Sequence, residues 1–130
     1  MSDKINIALL GLGHVGQEFA ENFLEIIQEG GKPVNIIAVA HRQLNSPIVL
    51  GFQQSGVRIF ENAVDVVSMG EEVDIIFDLT GDTETRVALR QALKESNNRH
   101  TVIAPEMMAK LLSMFFGDNA VLSGGKGGGY

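Results

Sequence analysis

Three glycines near the start of the chain have the spacing of a phosphate-binding turn, because residues 11–16 read GLGHVG. Gly11 permits a tight turn, Gly13 lets a phosphate approach the backbone, and Gly16 lets a helix pack closely against a sheet. The first amides of that helix would point at the phosphates, and the helix dipole favours negative charge there. A turn that merely connects a strand to a helix is the alternative. The candidate residues of this turn are Gly11, Leu12, Gly13, His14, Val15 and Gly16.

A basic pair follows the second apolar run of the chain. Sites for unphosphorylated dinucleotides usually offer Asp or Glu here to bind the ribose hydroxyls, whereas this chain reads Ala40-His41-Arg42-Gln43. A carboxylate would repel a 2′-phosphate, but an arginine pairs with phosphate through two hydrogen bonds and stacks on adenine. His41 can add a donor. The pattern favours NADP(H) over NAD(H), and an ordinary exposed loop cation at Arg42 is the alternative.

A third polar stretch, in which residues 78–82 read DLTGD, follows another apolar run. We expect this stretch to face the glycine turn, so that the Thr80 hydroxyl and the Gly81 amide meet a ribose or phosphate oxygen. The alternative, which is compatible with a ligand contact, is that Thr80 or Asp82 caps the next helix. The three histidines lack metal-ligand spacing, and no Ser-His-Asp set or carboxylate pair stands out. The sequence therefore predicts binding residues but no catalytic ones.

Alternating apolar runs and amphipathic stretches predict the elements that position these residues. The apolar spacing places Val15 on the buried face of the first helix and Val87 on that of a later one. Pro105 suits the first position of the last helix, and Gly117 is expected to end it. Strands are predicted at Ile5–Leu10, Val34–Ala40 and residues 57–60, 74–80 and 101–104. Helices are predicted at residues 15–28, 61–72, 82–97 and 106–116, with one helical turn near 48–52.

This alternation predicts an α/β fold, namely a doubly wound parallel sheet of the Rossmann type in a single three-layer domain. Right-handed crossovers with helices on both faces give the strand order 3-2-1-4-5. They also place the ligand crevice at the carboxyl ends of strands 1 and 4. We expect the domain to span residues 1–117 and to be followed by a Gly-rich flexible tail at residues 118–130.

The composition excludes several classes of protein. The chain has 130 residues, which fits one domain, and its 10 basic and 16 acidic residues give a net charge of −6. This acidic balance without a basic run argues against nucleic acid as a partner. The absence of cysteine excludes a disulfide scaffold and a thiolate site. No apolar run approaches the roughly 20 residues of a membrane helix, and no signal peptide is recognised, so we expect a cytoplasmic protein without a membrane partner.

The chain resembles the N-terminal NAD(P)-binding domains of a large oxidoreductase group. That group includes glucose–fructose oxidoreductase-like, homoserine dehydrogenase-like and dihydrodipicolinate reductase-like enzymes. The resemblance implies a Rossmann fold with NADP or NAD as cofactor, and it covers roughly residues 4–117. The stretch at residues 78–82, followed by residues 103–106, also resembles Rossmann-type input domains attached to bacterial signalling proteins. The segments that match the oxidoreductases are residues 5–16, 34–42, 73–81 and 101–105.

Two departures from this group bear on activity. Glucose–fructose oxidoreductase-like enzymes place a Glu-Lys-Pro segment after strand 5, whereas residues 104–106 read APE and the next lysine is Lys110. Those enzymes also bind substrate mainly on a second domain, which we do not expect in this chain. We therefore expect a non-catalytic sensor or regulatory module that binds a dinucleotide. The alternatives are the N-terminal cofactor-binding part of an oxidoreductase, and an interaction protein with an empty crevice.

The last predicted helix, which begins at Glu106, has apolar residues on more than one face. A helix at the edge of a small sheet buries one face only, so the remainder is expected to cover a second copy of the chain or a partner domain. Methionines suit an adaptable contact surface. A helix that lies deeper in the core is the alternative. The apolar residues of this helix are Met107, Met108, Leu111, Leu112, Met114, Phe115 and Phe116.

Overall fold

A computed structural model of the protein describes residues 4–124, with side chains described for residues 4–116. Strands and helices alternate along this part of the chain. The strands are β1 (Ile5–Leu10), β2 (Val34–Ala40), β3 (Arg58–Phe60), β4 (Ile75–Asp78) and β5 (Val102–Pro105). The helices are α1 (His14–Gly30), α2 (Pro47–Gln54), α3 (Thr83–Glu95), α4 (Glu106–Gly124) and a 3₁₀ helix at Ala63–Glu72.

The five strands form one parallel sheet in the order β3-β2-β1-β4-β5, which confirms the predicted order. The chain moves outward from β1 to β3, crosses to β4 and continues to β5. The direction of winding therefore reverses between β1 and β4. In open parallel sheets of this kind, ligands bind beyond the carboxyl ends of the strands at the point of reversal.

The sheet carries a hydrophobic core on each face, because successive strand side chains point to opposite sides. Ile7 and Leu9 of β1 belong to the core formed with α1, α2 and α4. Ala8 and Leu10 belong to the core formed with the 3₁₀ helix and α3. All four side chains are almost inaccessible to solvent. The central strands β1 and β2 are apolar apart from Asn6 and Asn35 because both faces are covered, and the α/β three-layer fold is the predicted one.

Aromatic rings connect α1 to the sheet and to α4. The ring of Phe19 in α1 lies 5.4 Å from that of Phe77 in β4 and 5.8 Å from that of Phe116 in α4. Phe23, one turn further along α1, stacks on Phe116 at 5.3 Å. Aromatic pairs at these distances stabilise beyond the area that they bury. The cluster holds α1, and the turn in front of it, against the sheet.

Two predictions about buried helix faces were wrong. Val15 is 58% exposed in the first turn of α1, where the helix projects beyond the core. Val87 is 62% exposed, whereas Leu89 on the same helix is fully buried against the sheet. Apolar spacing identifies each helix correctly but leaves its rotation uncertain by one position, since more than one apolar face fits the same pattern.

Two predictions about element ends were also wrong. Pro105 is the last residue of β5 rather than the first of α4, a place that proline tolerates because β5 is an edge strand. The α4 backbone continues through Gly117 to Gly124, since one glycine lowers helix stability by only about 1 kcal/mol. The division into a domain and a tail stays a prediction, and residues 125–130 lie outside the described part. No helix within residues 4–124 is long and apolar enough to cross a lipid bilayer.

Candidate functional site

A crevice of about 990 Å³ opens at the carboxyl ends of the strands, between the turn after β1 and the turn after β4. Backbone hydrogen bonds extend the sheet into these turns. The Gly11 amide donates to the Ala40 carbonyl at 2.9 Å, and the Leu79 amide donates to the Leu10 carbonyl at 2.8 Å. Both turns therefore start from fixed positions on neighbouring strands, and the crevice lies at the predicted reversal point.

Six of the ten predicted site residues line this crevice and four do not. Leu12 and Gly16 are buried, and His14 is exposed. Val15 lines a separate cavity of about 380 Å³ between α1 and α4. Contact with a ligand stays a prediction for all ten residues. The six residues that line the crevice are Gly11, Gly13, His41, Arg42, Thr80 and Gly81.

The fold accounts for two of the three glycines in the turn after β1. Gly11 has a positive φ of 88°, and a Cβ there would lie 2.9 Å from the Thr80 Cα atom. A Cβ on Gly16 would overlap the carbonyl oxygen of Gly11. Gly13 has an ordinary φ of −69°, and a Cβ there would meet no atom within 4 Å. Neither backbone conformation nor packing requires glycine at position 13, which leaves open space beside the backbone.

The start of α1 differs from the starts of α2, α3 and the 3₁₀ helix because no side chain caps it. Ser46 caps α2, Asn62 caps the 3₁₀ helix and Asp82 caps α3 through side-chain oxygens. The first turn of α1 also holds no acidic residue. Amides in the first turn of a helix have no intrahelical acceptor. Together with the dipole, these amides make the start of α1 suited to an external anion.

His41 connects the end of β2 to the glycine turn. Its Nδ1 atom accepts a hydrogen bond from the Leu12 amide at 3.2 Å. The neutral ring therefore carries its proton on Nε2, which remains a donor. The sequence predicted a donor at His41, but it did not predict that the same ring would fix the turn.

Asp78 is fully buried at the end of β4 and organises the turn that follows. Its Oδ1 accepts from the Thr80 amide at 3.1 Å and from the Thr80 hydroxyl at 2.6 Å. Its Oδ2 accepts from the Arg86 Nε at 3.4 Å, which pairs the buried charge. The Thr80 hydroxyl has one proton to donate and directs it at Asp78. A ligand oxygen would have to compete with this carboxylate for that proton.

Asp82 confirms the predicted capping alternative at the start of α3. One carboxylate oxygen accepts from the Glu84 amide at 3.1 Å, and the other accepts from the Thr85 hydroxyl at 2.8 Å. The Thr85 hydroxyl and the Glu84 amide lower the pKa of Asp82 below its ordinary value of 3.8, and the nearby charge of Arg42 contributes less. The Asp82 carboxylate and the Arg42 guanidinium therefore attract each other electrostatically across the crevice.

The sequence reasoning missed one wall of the crevice, which is formed just after β3. Glu61 and Asp65 lie there, so that Arg42 shares the crevice with three carboxylates when Asp82 is included. The signal was available, because the carboxyl end of β3 must reach the same sheet edge as that of β2. Within the described residues, no group of three or more His, Cys, Asp and Glu side chains is arranged to hold a metal ion.

Solved structures of dehydrogenases contain a domain whose fold is similar to that of this chain. Homoserine dehydrogenase from S. aureus at pH 7.0 is 29% identical, with a TM-score of 0.55 over 92% of this chain and 32% of that one. At pH 7.5 the same enzyme gives 28% identity and a TM-score of 0.53, over 88% and 30%. Scyllo-inositol dehydrogenase from Lactobacillus casei, solved with NAD(H) and scyllo-inositol, is 21% identical with a TM-score of 0.53, over 78% and 28%.

The likeness to scyllo-inositol dehydrogenase supports the fold alone. No protein-family model matches the sequence, and no curated protein matches it either. The chain spans about a third of the length of the dehydrogenases that share its fold. It therefore has the Rossmann-type α/β architecture found in dehydrogenases, with its crevice at the sheet edge where such folds bind ligands.

Proposed function

We propose that this protein binds a nicotinamide dinucleotide in the crevice and acts as a small non-catalytic sensor or regulatory module. The observation that carries the proposal is the uncapped start of α1 beside the open space at Gly13. A pyrophosphate placed there accepts hydrogen bonds from helix amides and meets the positive end of the dipole. The volume of about 990 Å³ lies at the upper end of the range for ligand pockets.

The cofactor form proposed is NADP(H) ahead of NAD(H), on the strength of Arg42 at the end of β2. An arginine binds a phosphate through paired N–H donors, and His41 keeps Nε2 as a further donor beside it. The carboxylates of Glu61, Asp65 and Asp82 line the same crevice and would repel the additional negative charge of a 2′-phosphate. Arg42 is therefore the residue on which the preference for a 2′-phosphate depends.

A binding role is proposed ahead of catalysis because of the side chains that line the crevice. Among the described residues of this lining there is no lysine, and His41 uses one ring nitrogen to hold the Leu12 amide. The remaining polar groups are suited to bind phosphate and hydroxyl oxygens. The homoserine dehydrogenase chain is about three times as long as this one, so we propose cofactor binding without substrate binding.

Calorimetric titration with NADPH, NADP⁺, NADH and NAD⁺ tests the proposal. Wild-type protein should bind at least one dinucleotide, and Gly13→Asp should weaken that binding at least hundredfold, since a carboxylate would occupy the phosphate path. Gly51→Asp is the matched control, because Gly51 also faces open space but lies on α2 outside the crevice. Unchanged affinity in Gly13→Asp, or no dinucleotide binding by wild-type protein, would contradict the proposal.

A second candidate function is the cofactor-binding part of an oxidoreductase whose substrate domain lies elsewhere. The observation that favours it is the uncovered apolar side of α4, where Met107 is 68% exposed, Met114 60% and Phe115 61%. Surfaces of this kind mark contacts with another domain or subunit. If the protein is a stand-alone module, we propose that a second copy covers this side of α4.

Light scattering after size exclusion distinguishes the two candidates. A stand-alone module should be a dimer at micromolar concentration, and Phe115→Glu should make it monomeric without lowering its helix content. Val87→Glu is the control, since Val87 is equally exposed on α3 at 62% and should leave the dimer intact. A monomeric wild type would contradict the homodimer and favour a separate substrate domain as the missing cover.

A further inference from the structure

A second cavity, of about 490 Å³, lies at the opposite edge of the sheet from the crevice, where α3 ends and β5 begins. Three basic side chains line it, namely Arg90, Lys94 and Arg99, and no carboxylate does so. The chain as a whole carries more acidic than basic residues, 16 against 10. The concentration of three cations in one concave site therefore runs against the average charge of the protein.

None of these three cations forms an ion pair with a residue whose side chain is described. Within residues 4–116, Asp78 is paired with Arg86, and Asp74 is hydrogen-bonded to the His100 ring. Arg90 and Lys94 follow Arg86 on the same face of α3 at intervals of four, a spacing at which like charges repel. Arg86 is relieved by the buried Asp78, whereas Arg90 and Lys94 have no such relief. An anion in the cavity would remove this repulsion.

The wall that carries Arg99 is held in place by hydrogen bonds. The Asn98 side chain accepts from the amides of His100 and Thr101 at 2.9 and 3.0 Å. It donates to the Thr101 hydroxyl at 2.8 Å, and that hydroxyl donates to the Val73 carbonyl at 2.6 Å. The backbone on both sides of Arg99 is thus fixed to the segment that precedes β4, so the arginine projects from an ordered loop.

We propose that this cavity binds the phosphoryl group of a small phosphorylated molecule. A phosphoryl group carries close to two negative charges on three oxygens, which matches three cations lining one cavity better than the single charge of a carboxylate. The two arginines provide planar, forked donors for those oxygens. Leu93 and Ile103 add apolar lining, so the 490 Å³ accommodates an organic portion beside the phosphate. The alternative is that these side chains are solvated near the end of α3, where the helix dipole stabilises positive charge and no ligand binds.

Titration with inorganic pyrophosphate, followed by amide NMR shifts, tests this proposal in wild-type and Gly13→Asp protein. The Gly13→Asp variant blocks the crevice, so binding that remains reports on the second cavity and does not depend on the proposed dinucleotide site. We expect saturable binding in both proteins, with shifts at residues 97–101. The Arg90→Gln/Arg99→Gln double variant should weaken this binding at least tenfold. Lys32→Gln, which removes an exposed cation outside the cavity lining, should leave it unchanged.

Three outcomes would overturn the proposal. The first is the absence of saturable binding at millimolar pyrophosphate, and the second is a set of shifts confined to residues 11–16 in wild-type protein. The third is equal affinity for citrate, which would show a general polyanion site without phosphoryl preference. Circular dichroism of the double variant checks its fold, and the wild-type shifts decide the location of the site even if that variant unfolds.

Discussion

Two turns face each other across the crevice and use their polar groups in opposite ways. In the turn after β4, Asp78 accepts from Thr80, Thr80 accepts from the Asp82 amide, and Asp82 caps α3. The turn after β1 leads into a helix start that no side chain caps, beside the open space at Gly13. The polar groups of the turn after β4 bond to one another, so this turn forms a rigid wall of the crevice. The turn after β1 keeps backbone N–H donors available for a ligand.

The rigid turn also positions the open one. A Cβ on Gly11 would lie 2.9 Å from the Thr80 Cα atom, so the two backbones are in close contact. His41 fixes the open turn from the other side by accepting the Leu12 amide. Preorganised donors bind an anion at low cost, because little conformational entropy is lost when it arrives. The contacts with Thr80 and His41 therefore keep the start of α1 ordered without a side-chain cap.

The largest effect is expected from Gly16→Ala in the open turn. The added Cβ would overlap the Gly11 carbonyl oxygen, a backbone atom that cannot move without disturbing the contact with Thr80. We expect the free energy of unfolding to fall by about 3 kcal/mol in urea denaturation. Gly13→Ser is the control, because it meets no atom and supplies a helix cap, and it should stay within about 0.5 kcal/mol of wild type. Equal stabilities of the two variants would show that the close packing at Gly16 contributes nothing to the stability of the fold.

A smaller effect is expected from Thr80→Val in the rigid turn. Valine keeps the branched shape but removes the hydroxyl that donates to Asp78 and accepts from the Asp82 amide. We expect a loss of about 1–2 kcal/mol in the free energy of unfolding. Thr83→Val, at the exposed first position of α3, is the control and should cost less. Dinucleotide affinity should change by less than about threefold, whereas a loss beyond tenfold would show that the Thr80 hydroxyl contacts the ligand directly.

Arg42→Ala is expected to change which dinucleotide binds beside the turn after β1. Because the guanidinium is the group proposed to read the 2′-phosphate, NADPH affinity should fall about tenfold more than NADH affinity, which corresponds to about 1.4 kcal/mol. Calorimetry with both dinucleotides measures the difference. Lys32→Ala, which removes an exposed cation outside the crevice, should change neither affinity. Equal losses for the two dinucleotides would show that Arg42 does not distinguish them.

The smallest effect concerns the acid dependence of the capped turn. The pKa of Asp82 in the folded protein is lowered by the Thr85 hydroxyl and the Glu84 amide, so its contribution to stability is present above pH 3.8 and is lost as the pH falls through the folded value. In Asp82→Asn, the stability deficit against wild type should shrink as the pH falls from 5 to 2. Urea denaturation across that range measures it. A deficit independent of pH would show that the Asp82 charge contributes nothing.

Much of this fold could be predicted because its signals are local. The run Ile5–Leu10 predicted β1 with the bounds that the structure gives, and so did Val34–Ala40 for β2. The glycine turn placed the start of α1 within one residue, and the apolar spacing ended the helix two residues before Gly30, where the structure ends it. Residues that are near in the sequence generate each of these patterns. The strand order then followed from the handedness of crossovers between parallel strands.

The roles of particular side chains could not be predicted in the same way. Whether Val87 or Leu89 faces the core depends on the rotation of α3, which the packing against the sheet decides. The Thr80 hydroxyl looked available in the sequence, but a buried carboxylate two residues earlier accepts its proton. Glu61 and Asp65 entered the crevice only because β3 ends beside β2. Each of these outcomes depends on the position of another element.

The alternation of strands and helices, the parallel sheet and the location of the glycine turn follow from local patterns, because hydrophobic period and glycine spacing act within a few residues of the chain. Which polar groups are already bonded and which stay open depends on contacts between distant residues in the folded chain. The Leu12 amide and the His41 ring, 29 positions apart, bond to each other, whereas a Cβ at Gly13 would meet no atom within 4 Å. Hydrogen bonds saturate, so the groups left to bind a ligand are those that no distant residue has reached in the folded chain.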